Sequence, residues 1–207
     1  MAKPIPVAKP IPVDEWPRSS CSTSFRLKPW GFALRLYKCE ACVLDAVTRV
    51  NERDIEWTET EREETHFRRK KLASETDAED LGASLYELPP GASSWPYHFH
   101  AGNEEAVYVL AGSGALRTPE GETRVESGDF CAFPADPDGA HRLHNDGDEP
   151  LRYLAVSTMQ DPDVTVYPDS EKIGVYAGSP PGGDADERIV SGYYRRDDDV
   201  DYWEGES

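Results

Sequence analysis

From about residue 80 onward, apolar and polar residues alternate in short runs that are separated by Gly, Pro and Asp. Alternation over roughly 4–8 residues predicts β-strands, and short strands at close spacing predict an all-β sandwich or barrel. The segment 113–129 predicts a hairpin about Pro119, Glu120 and Gly121. The other predicted strands are LGASLYEL, SSWPYHFH, EEAVYVLAG, FCAFPA, AHRLHN and LRYLAVST. We therefore predict a small antiparallel barrel over residues 80–160.

The regions on either side of this segment have other patterns. Residues 46–79 form a polar lead-in segment, in which 58–71 is the best helix candidate or only a polar connection. Beyond the barrel, DVTVYPDSEKIGVYAG predicts two strands about a Pro-Asp turn. We expect the C-terminal extension 161–207 to pack on the barrel or on a partner subunit.

Residues 1–45 differ from the rest in composition. They open with the duplicated hexapeptide AKPIPV, and X-Pro pairs disfavour helix, so this part predicts an appended arm that is disordered or loosely packed. Cys39 and Cys42 form a CxxC, and Cys21 lies upstream, but a structural zinc site usually needs four ligands and none completes this set. Cys131 lies in an apolar run and is interpreted as a small buried residue.

The chain is strongly acidic, with a formal net charge of -18. The first 45 residues contain seven Lys and Arg against four Asp and Glu, whereas the remainder contains 15 against 36. Such a surface repels phosphate backbones, which disfavours nucleic acid as a partner. Strong self-repulsion is tolerable at molar salt, where the screening length falls to ~3 Å, so we hypothesise a halophilic protein. No secretory signal and no apolar run of ~18 residues is present, which favours a cytoplasmic protein without a membrane partner.

The candidate chemistry lies where two of the five histidines are one residue apart. Residues i and i+2 of a strand point to the same face, so His98 and His100 present two imidazoles together. A glutamate four or five residues on, Glu104 or Glu105, and His141 from a later strand supply further ligands for a divalent first-row metal. An HxH pair alone can also arise without any metal.

Two motifs surround these residues in order. The first is a glycine, a short spacer, HxH, four residues, a glutamate, six residues and a glycine; the second is a glycine, five residues, a proline, a glycine, a histidine, three residues and an asparagine. In this chain the positions are Gly91, His98, His100, Glu105 and Gly112, then Gly128, Pro134, Gly139, His141 and Asn145. The distance from Pro134 to His141 is two residues longer than the pattern usually has. Over residues 80–158 the chain resembles the cupin superfamily.

The resemblance implies a jelly-roll barrel with one divalent transition metal ion inside its open end. It implies His98, His100, Glu105 and His141 as ligands, without distinguishing iron, manganese, nickel or zinc. It also implies a homodimer. The function it implies is binding of a small oxygenated metabolite, a sugar or a carboxylic acid, by an enzyme such as an oxygenase, isomerase, decarboxylase or lyase. The alternative is a non-catalytic cupin that binds or senses a small ligand.

Residues next to the ligands have weaker predictions. Counting back six residues from Gly112 selects Glu105 over Glu104 as the ligand, with Val107 and Val109 on the same face. His144 is interpreted as a non-ligand because it lies three residues beyond His141. Tyr97, Phe133 and Asn145 are candidate pocket residues, and Asn145 fixes a turn in the alternative interpretation. The aromatic residues Trp95, Tyr97, Tyr108 and Phe133 are also expected to serve barrel packing.

Overall fold

The computed structural model describes residues 48–206. The predicted arm at 1–45, with Cys21, Cys39 and Cys42, lies outside the described residues. The strands are β1 Thr58–Arg62, β2 Thr65–Lys71, β3 Leu81–Leu88, β4 Phe99–His100, β5 Glu105–Ala111, β6 Ser113–Thr118, β7 Gly121–Glu126, β8 Phe130–Phe133, β9 Arg142–His144, β10 Leu151–Thr158, β11 Asp163–Tyr167, β12 Lys172–Ala177 and β13 Val190–Arg195. The helices over 48–206 are short 3-10 turns at Glu52–Asp54, Ala73–Glu75, Pro137–Gly139, Pro168–Ser170 and Ala185–Glu187.

The strands form a six-stranded sheet in the order β1-β2-β3-β10-β5-β8, a four-stranded sheet β13-β12-β11-β4 and a three-stranded sheet β7-β6-β9. All of these pairings are antiparallel. A single bridge between His98 and His141 connects the segment before β4 to the segment before β9. The result is an all-β barrel, as the alternation pattern predicted, of the jelly-roll type that the resemblance implied. The hairpin about residues 119–121 is confirmed as β6 and β7.

The core lies between the layers and follows the predicted alternation. In β5, Val107 and Val109 are buried while Tyr108 and Leu110 are 42% exposed. Burial of such side chains removes apolar surface from water, which is the main favourable term in folding. The buried cluster consists of Phe67, Tyr86, Leu88, Val107, Val109, Leu116, Val125, Phe133, Leu143, Leu151 and Tyr153, and Cys131 is partly buried against it.

Residues 58–71 form a β-hairpin, so the helix expected there was wrong. The acidic strand β1 pairs with the basic strand β2, and Glu59 binds His66 at 2.8 Å across the pair. β2 then pairs with β3, where Arg68 meets Glu87 at 2.6 Å. Phe67 is 1% exposed and anchors the hairpin in the core. Opposite charges on facing strands therefore stabilise a segment whose low apolar content concealed its strands. β1 and β2 belong to the six-stranded sheet.

The barrel continues beyond residue 160. Strands β11 and β12 lie on either side of the turn Pro168–Ser170, as predicted, and β11 pairs with β4 beside His100. β13 adds to the edge of β12, and Tyr193 and Tyr194 remain 63% and 52% exposed. The extension therefore packs on the barrel by continuing the sheet that carries His100, and the domain boundaries stay predictions.

Within residues 48–206 no helix has the length and apolar character needed to cross a membrane. On the outer face of the six-stranded sheet, Tyr108 and Leu110 lie next to Phe130, which is 64% exposed. Tyr108 was expected to pack in the barrel, and this was wrong because its neighbours Val107 and Val109 take the inner face. The homodimer, the halophilic character and the cytoplasmic location stay predictions.

Candidate metal centre

The two histidine motifs are brought together by backbone pairing. The His141 N–H donates to the His98 carbonyl at 2.9 Å, and the His98 N–H donates back at 3.3 Å. His100 lies in β4 opposite Thr165 of β11, and Glu105 is the first residue of β5 in the other layer. Two layers thus converge on one point from three separate segments of the chain.

The three imidazoles point their Nε2 atoms at a single carboxylate oxygen. Glu105 Oε2 lies 3.3 Å from His141 Nε2, 3.6 Å from His100 Nε2 and 3.9 Å from His98 Nε2. The ligand atoms of His98, His100 and Glu105 all lie within 4.8 Å of one another. The three histidines are buried, so few water molecules can solvate their inward nitrogens.

Each imidazole uses its other nitrogen to donate a hydrogen bond to a fixed acceptor. His98 Nδ1 lies 2.8 Å from the Pro96 carbonyl, and His141 Nδ1 lies 2.9 Å from the Gly139 carbonyl. His100 Nδ1 lies 2.5 Å from Asp163 Oδ2. A carbonyl oxygen can only accept, so these bonds place the proton on Nδ1 and leave the Nε2 lone pair free as a ligand.

The charge states also suit a metal. Burial lowers the pKa of His98 to about 3, and the neighbouring His141 adds to this effect. Burial also opposes protonation of His100, but its hydrogen bond to Asp163 and the charges of Glu105 and Asp163 outweigh this and raise its pKa. Burial works against ionisation of Glu105, yet the neighbouring His141 and the other two imidazoles hold its pKa at about 2. At neutral pH the centre therefore presents a carboxylate and at least one neutral imidazole, the forms that bind metals.

These residues fit one divalent cation. Lone pairs of buried imidazoles that converge on a carboxylate repel one another unless a positive charge lies among them. Nitrogen and carboxylate donors are ligands that first-row divalent metals accept. His98, His100 and Glu105 could therefore form a metal site, with His141 Nε2 pointing at the same carboxylate oxygen.

The strand register separates the two glutamates as predicted. Glu105 is partly buried and shares the inward face with Val107 and Val109. Glu104 is exposed, and its backbone N–H donates to Thr158 Oγ1 at 3.1 Å. Only Glu105 faces the imidazoles.

The longer loop before His141 has a structural role. Its residues Pro137–Gly139 form a 3-10 turn whose last carbonyl accepts from His141 Nδ1. A Cβ at Gly139 would lie 2.0 Å from the Pro134 carbonyl oxygen, so the turn closes only with glycine. The departure from the usual motif spacing thus orients the fourth candidate ligand.

The predicted pocket residues divide into two groups. Phe133 stacks on His141 with ring centroids 3.7 Å apart and forms a wall of the site. The Arg117 guanidinium carbon lies 3.9 Å from the centre of the Tyr97 ring, so Tyr97 packs against this side chain. Asn145 is fully buried and binds the Leu88 and Glu149 carbonyls and the Gly147 N–H, so it fixes a turn.

Two further expectations are confirmed. His144 contacts Ser93 Oγ at 3.1 Å and takes no part in the cluster, as a non-ligand should. Trp95 packs edge-on against Phe67 at 4.6 Å, in agreement with a packing role.

Sequence reasoning missed the contribution of β11. Asp163 is 1% exposed, accepts from His100 and also accepts the Gly102 N–H at 3.0 Å. Thr165 Oγ1 lies 3.2 Å from His100 Nδ1, and the Tyr167 ring stacks over His98 at 5.9 Å. The alternation in DVTVY predicted the strand, but only its pairing with β4 shows that these three side chains face the histidines.

Comparison with known proteins agrees with the fold. The cupin domain family matches residues 84–157. The solved structure of a proposed sugar phosphate isomerase from Acidithiobacillus ferrooxidans has a TM-score of 0.56 and 30% identity, and the match covers 66% of this chain and 80% of that one. The chain belongs to the cupin superfamily.

Two curated relatives match the central part of the chain. A glucose-6-phosphate isomerase from Pyrococcus horikoshii is 40% identical over 89 residues, which are 37% of this chain and 46% of that protein. An oxalate-binding protein from Thermotoga maritima is 36% identical over 70 residues, 34% of this chain and 55% of that protein. The chain spans about half the length of the curated relatives it matches.

Proposed function

We propose that this protein is a metal-dependent enzyme that acts on a small oxygenated metabolite, with a sugar phosphate as substrate and isomerisation as the reaction. The observation that carries the proposal is the convergence of three Nε2 atoms on Glu105 Oε2, each imidazole being oriented through its Nδ1. The similarity to proteins named as isomerases of sugar phosphates supports this substrate class over a simple carboxylic acid.

In this proposal His98, His100, Glu105 and His141 hold one divalent transition ion. The ligand set suits iron, manganese, nickel or zinc, and metal availability decides among them. When bound, such an ion supplies Lewis acidity that polarises a substrate hydroxyl or carbonyl oxygen.

Side chains around the ligands would bind and orient the substrate. Phe133 shields His141 from water, which strengthens electrostatic interactions in the centre. Tyr167 lies beside His98, and burial raises the pKa of its phenol, so the hydroxyl keeps its proton at neutral pH. Tyr167 can therefore donate a hydrogen bond to a sugar oxygen near the imidazoles.

The alternative is a non-catalytic protein that binds a small ligand. The similarity to an oxalate-binding protein favours it, because oxalate presents two oxygens to one metal ion. The same ligands would serve both functions, so activity separates them.

The test is turnover of hexose 6-phosphates by the metal-loaded protein, monitored as interconversion of the aldose and the ketose. We expect conversion that a chelator abolishes and that one added divalent metal restores. Glu104→Gln should behave like the wild type, because Glu104 faces solvent. A fully metal-loaded protein that converts no sugar phosphate but binds oxalate tightly in calorimetry would favour the alternative.

We also propose a homodimer that uses the exposed outer face of the six-stranded sheet, where Tyr108, Leu110 and Phe130 lie together. Apolar patches of this kind commonly mark association surfaces. Light scattering in molar potassium chloride should give twice the chain mass for the wild type and the single chain mass for Phe130→Glu. An unchanged dimer in the variant would place the interface elsewhere.

A further inference from the structure

The inner face of the four-stranded sheet continues from the histidines to the edge strand β13. Thr165 of β11 faces His100, and the register places Thr165 opposite Gly174 of β12, which in turn lies opposite Tyr193 of β13. In the next row Tyr167 lies opposite Lys172, and Lys172 lies opposite Arg195. Since residues two apart share a face, both rows lie on the same side of the sheet as the metal centre.

Contacts between side chains confirm this continuity. The Tyr167 ring lies 5.9 Å from the His98 ring, and Lys172 Nζ lies 5.2 Å from the Tyr167 ring. Tyr193 also approaches Tyr167, with ring centroids 6.1 Å apart. Neighbouring strands are about 4.8 Å apart, so β12 lies roughly 10 Å from β4. This separation is of the order of the length of an extended six-carbon sugar phosphate.

Two positive side chains line a depression of about 210 Å³ at the far end of this face. Its lining residues are Ser170, Lys172, Tyr193, Tyr194 and Arg195. Among residues 48–206, neither Lys172 nor Arg195 has a carboxylate oxygen within ion-pair distance, as is true of most Lys and Arg side chains there. What distinguishes these two is that they meet at one depression, on the sheet face that carries His100, where their charges complement an anion.

Hydroxyl donors complete the depression. The hydroxyls of Tyr176 and Tyr193 share a hydrogen bond at 2.8 Å, and Tyr193 lines the depression. Ser170 and Tyr194 add two more hydroxyls. A guanidinium, an ammonium and several hydroxyls are the groups that bind a phosphoryl group, because they combine charge with directed hydrogen bonds.

We infer that Lys172 and Arg195, with Tyr193 and Ser170, form the subsite for the phosphoryl group of the substrate. This inference rests on the proposed function, because it assigns the other end of the same molecule to the metal centre. Tyr167 lies between the two ends and contacts the carbon chain. The free energy of phosphate binding then positions the reactive oxygens at the metal ligands.

The experiment is calorimetric titration of the metal-loaded protein with glucose 6-phosphate, glucose and inorganic phosphate at constant ionic strength. Loss of one charge-assisted contact should weaken glucose 6-phosphate binding by roughly 10-fold or more in Lys172→Ala and in Arg195→Ala. Glucose binding and metal content should not change. Arg196→Ala is the matched control, since it removes the same charge next to Arg195 but lies outside the depression, and Arg195→Lys should restore part of the affinity.

Inorganic phosphate should compete with glucose 6-phosphate in the wild type and much less in Arg195→Ala. Equal binding of glucose and glucose 6-phosphate by the wild type, or wild-type affinity in Lys172→Ala and Arg195→Ala, would overturn the subsite. If the charge variants lose affinity but the wild type converts no sugar phosphate, the subsite stands and the proposed isomerase falls. If turnover persists and the variants keep the wild-type KM, the isomerase stands and the subsite falls.

Discussion

The two layers of the barrel have inner faces of opposite character. The six-stranded sheet turns Leu88, Val107 and Leu151 inward, and all three are less than 5% exposed. The four-stranded sheet turns His100, Thr165, Tyr167 and Lys172 toward the same interior. Both layers obey the same alternation along their strands, so alternation reports which side chains point inward but not whether the interior is core or site. In this barrel one inner face is apolar core and the other carries the candidate metal ligands, with Glu105 as the carboxylate that the first layer contributes to the second.

The largest effect should follow from opening the apolar layer. Leu151 is fully buried, and Leu151→Ala should lower the free energy of unfolding by about 2–5 kcal/mol through lost burial and the remaining cavity. Urea denaturation measures this change. Leu81→Ala, at a position 52% exposed, should stay within about 0.5 kcal/mol of the wild type. The folded Leu151→Ala protein should keep its metal affinity; a large loss of affinity would mean that the two layers do not act separately.

The opposite result, a loss of metal affinity, is expected at Glu105, the carboxylate that the six-stranded sheet contributes to the site. Glu105→Gln removes a charged ligand atom from the centre and should weaken metal binding by roughly 10-fold or more. Glu104→Gln removes the same charge from the adjacent exposed position and should change affinity little. Titration of metal into both apo-variants decides. Greater damage from Glu104→Gln would shift the inward and outward assignments of 104–110 by one residue.

A smaller effect should come from the polar layer behind the ligands. Asp163 holds His100 through Nδ1, and Asp163→Asn weakens that bond and removes the charge that keeps the imidazole oriented. Metal affinity should fall by about 10-fold, the scale for partners that contact a ligand rather than the metal. Asp161→Asn is the control, because Asp161 binds only the Gly178 N–H in the exposed loop. Equal affinities in the two variants would assign Asp163 a purely structural role.

The sequence predicts this architecture well where it carries a spaced motif and poorly where a strand is marked only by its charges. The motif spacing selects His98, His100, Glu105 and His141, and the structure brings these four side chains together; their role as metal ligands stays a prediction. The hairpin β1–β2 is not predicted because its strands carry mostly charged residues and lack an apolar alternation. The pattern that pairs them is one of opposite charge, with Glu59 of the acidic strand facing the basic strand. A complementary acidic and basic run about the turn at Glu63 was the available signal.

Asp163 and Tyr167 could not have been found from local pattern. They act through the pairing of β11 with β4, whose residues lie more than 60 positions apart, as in the bond between His100 and Asp163. Nothing in the periodicity of DVTVY distinguishes an inner face that meets histidines from one that meets leucines. The register between distant strands carries that information.

The smallest expected effect is that of salt on stability, which acts through the many exposed carboxylates on the outside of the barrel. If the acidic composition reflects adaptation to salt, the melting temperature should rise steadily from dilute buffer to molar potassium chloride, as screening removes repulsion among exposed carboxylates. Sodium chloride at matched ionic strength is the control for a specific potassium effect. A melting temperature that does not change with salt would refute the halophilic hypothesis and leave the site unaffected.

The proposed metal centre is tested most directly by the metal content of two single variants, His141→Ala and His144→Ala, whose positions are three residues apart. His141 points Nε2 at Glu105, whereas His144 contacts Ser93, and both belong to the same short segment at β9. Elemental analysis should find about one divalent ion per chain in the wild type and in His144→Ala, and only a small fraction of that in His141→Ala. Full occupancy in His141→Ala, or equal loss in both variants, would contradict a metal centre built on His98, His100, Glu105 and His141.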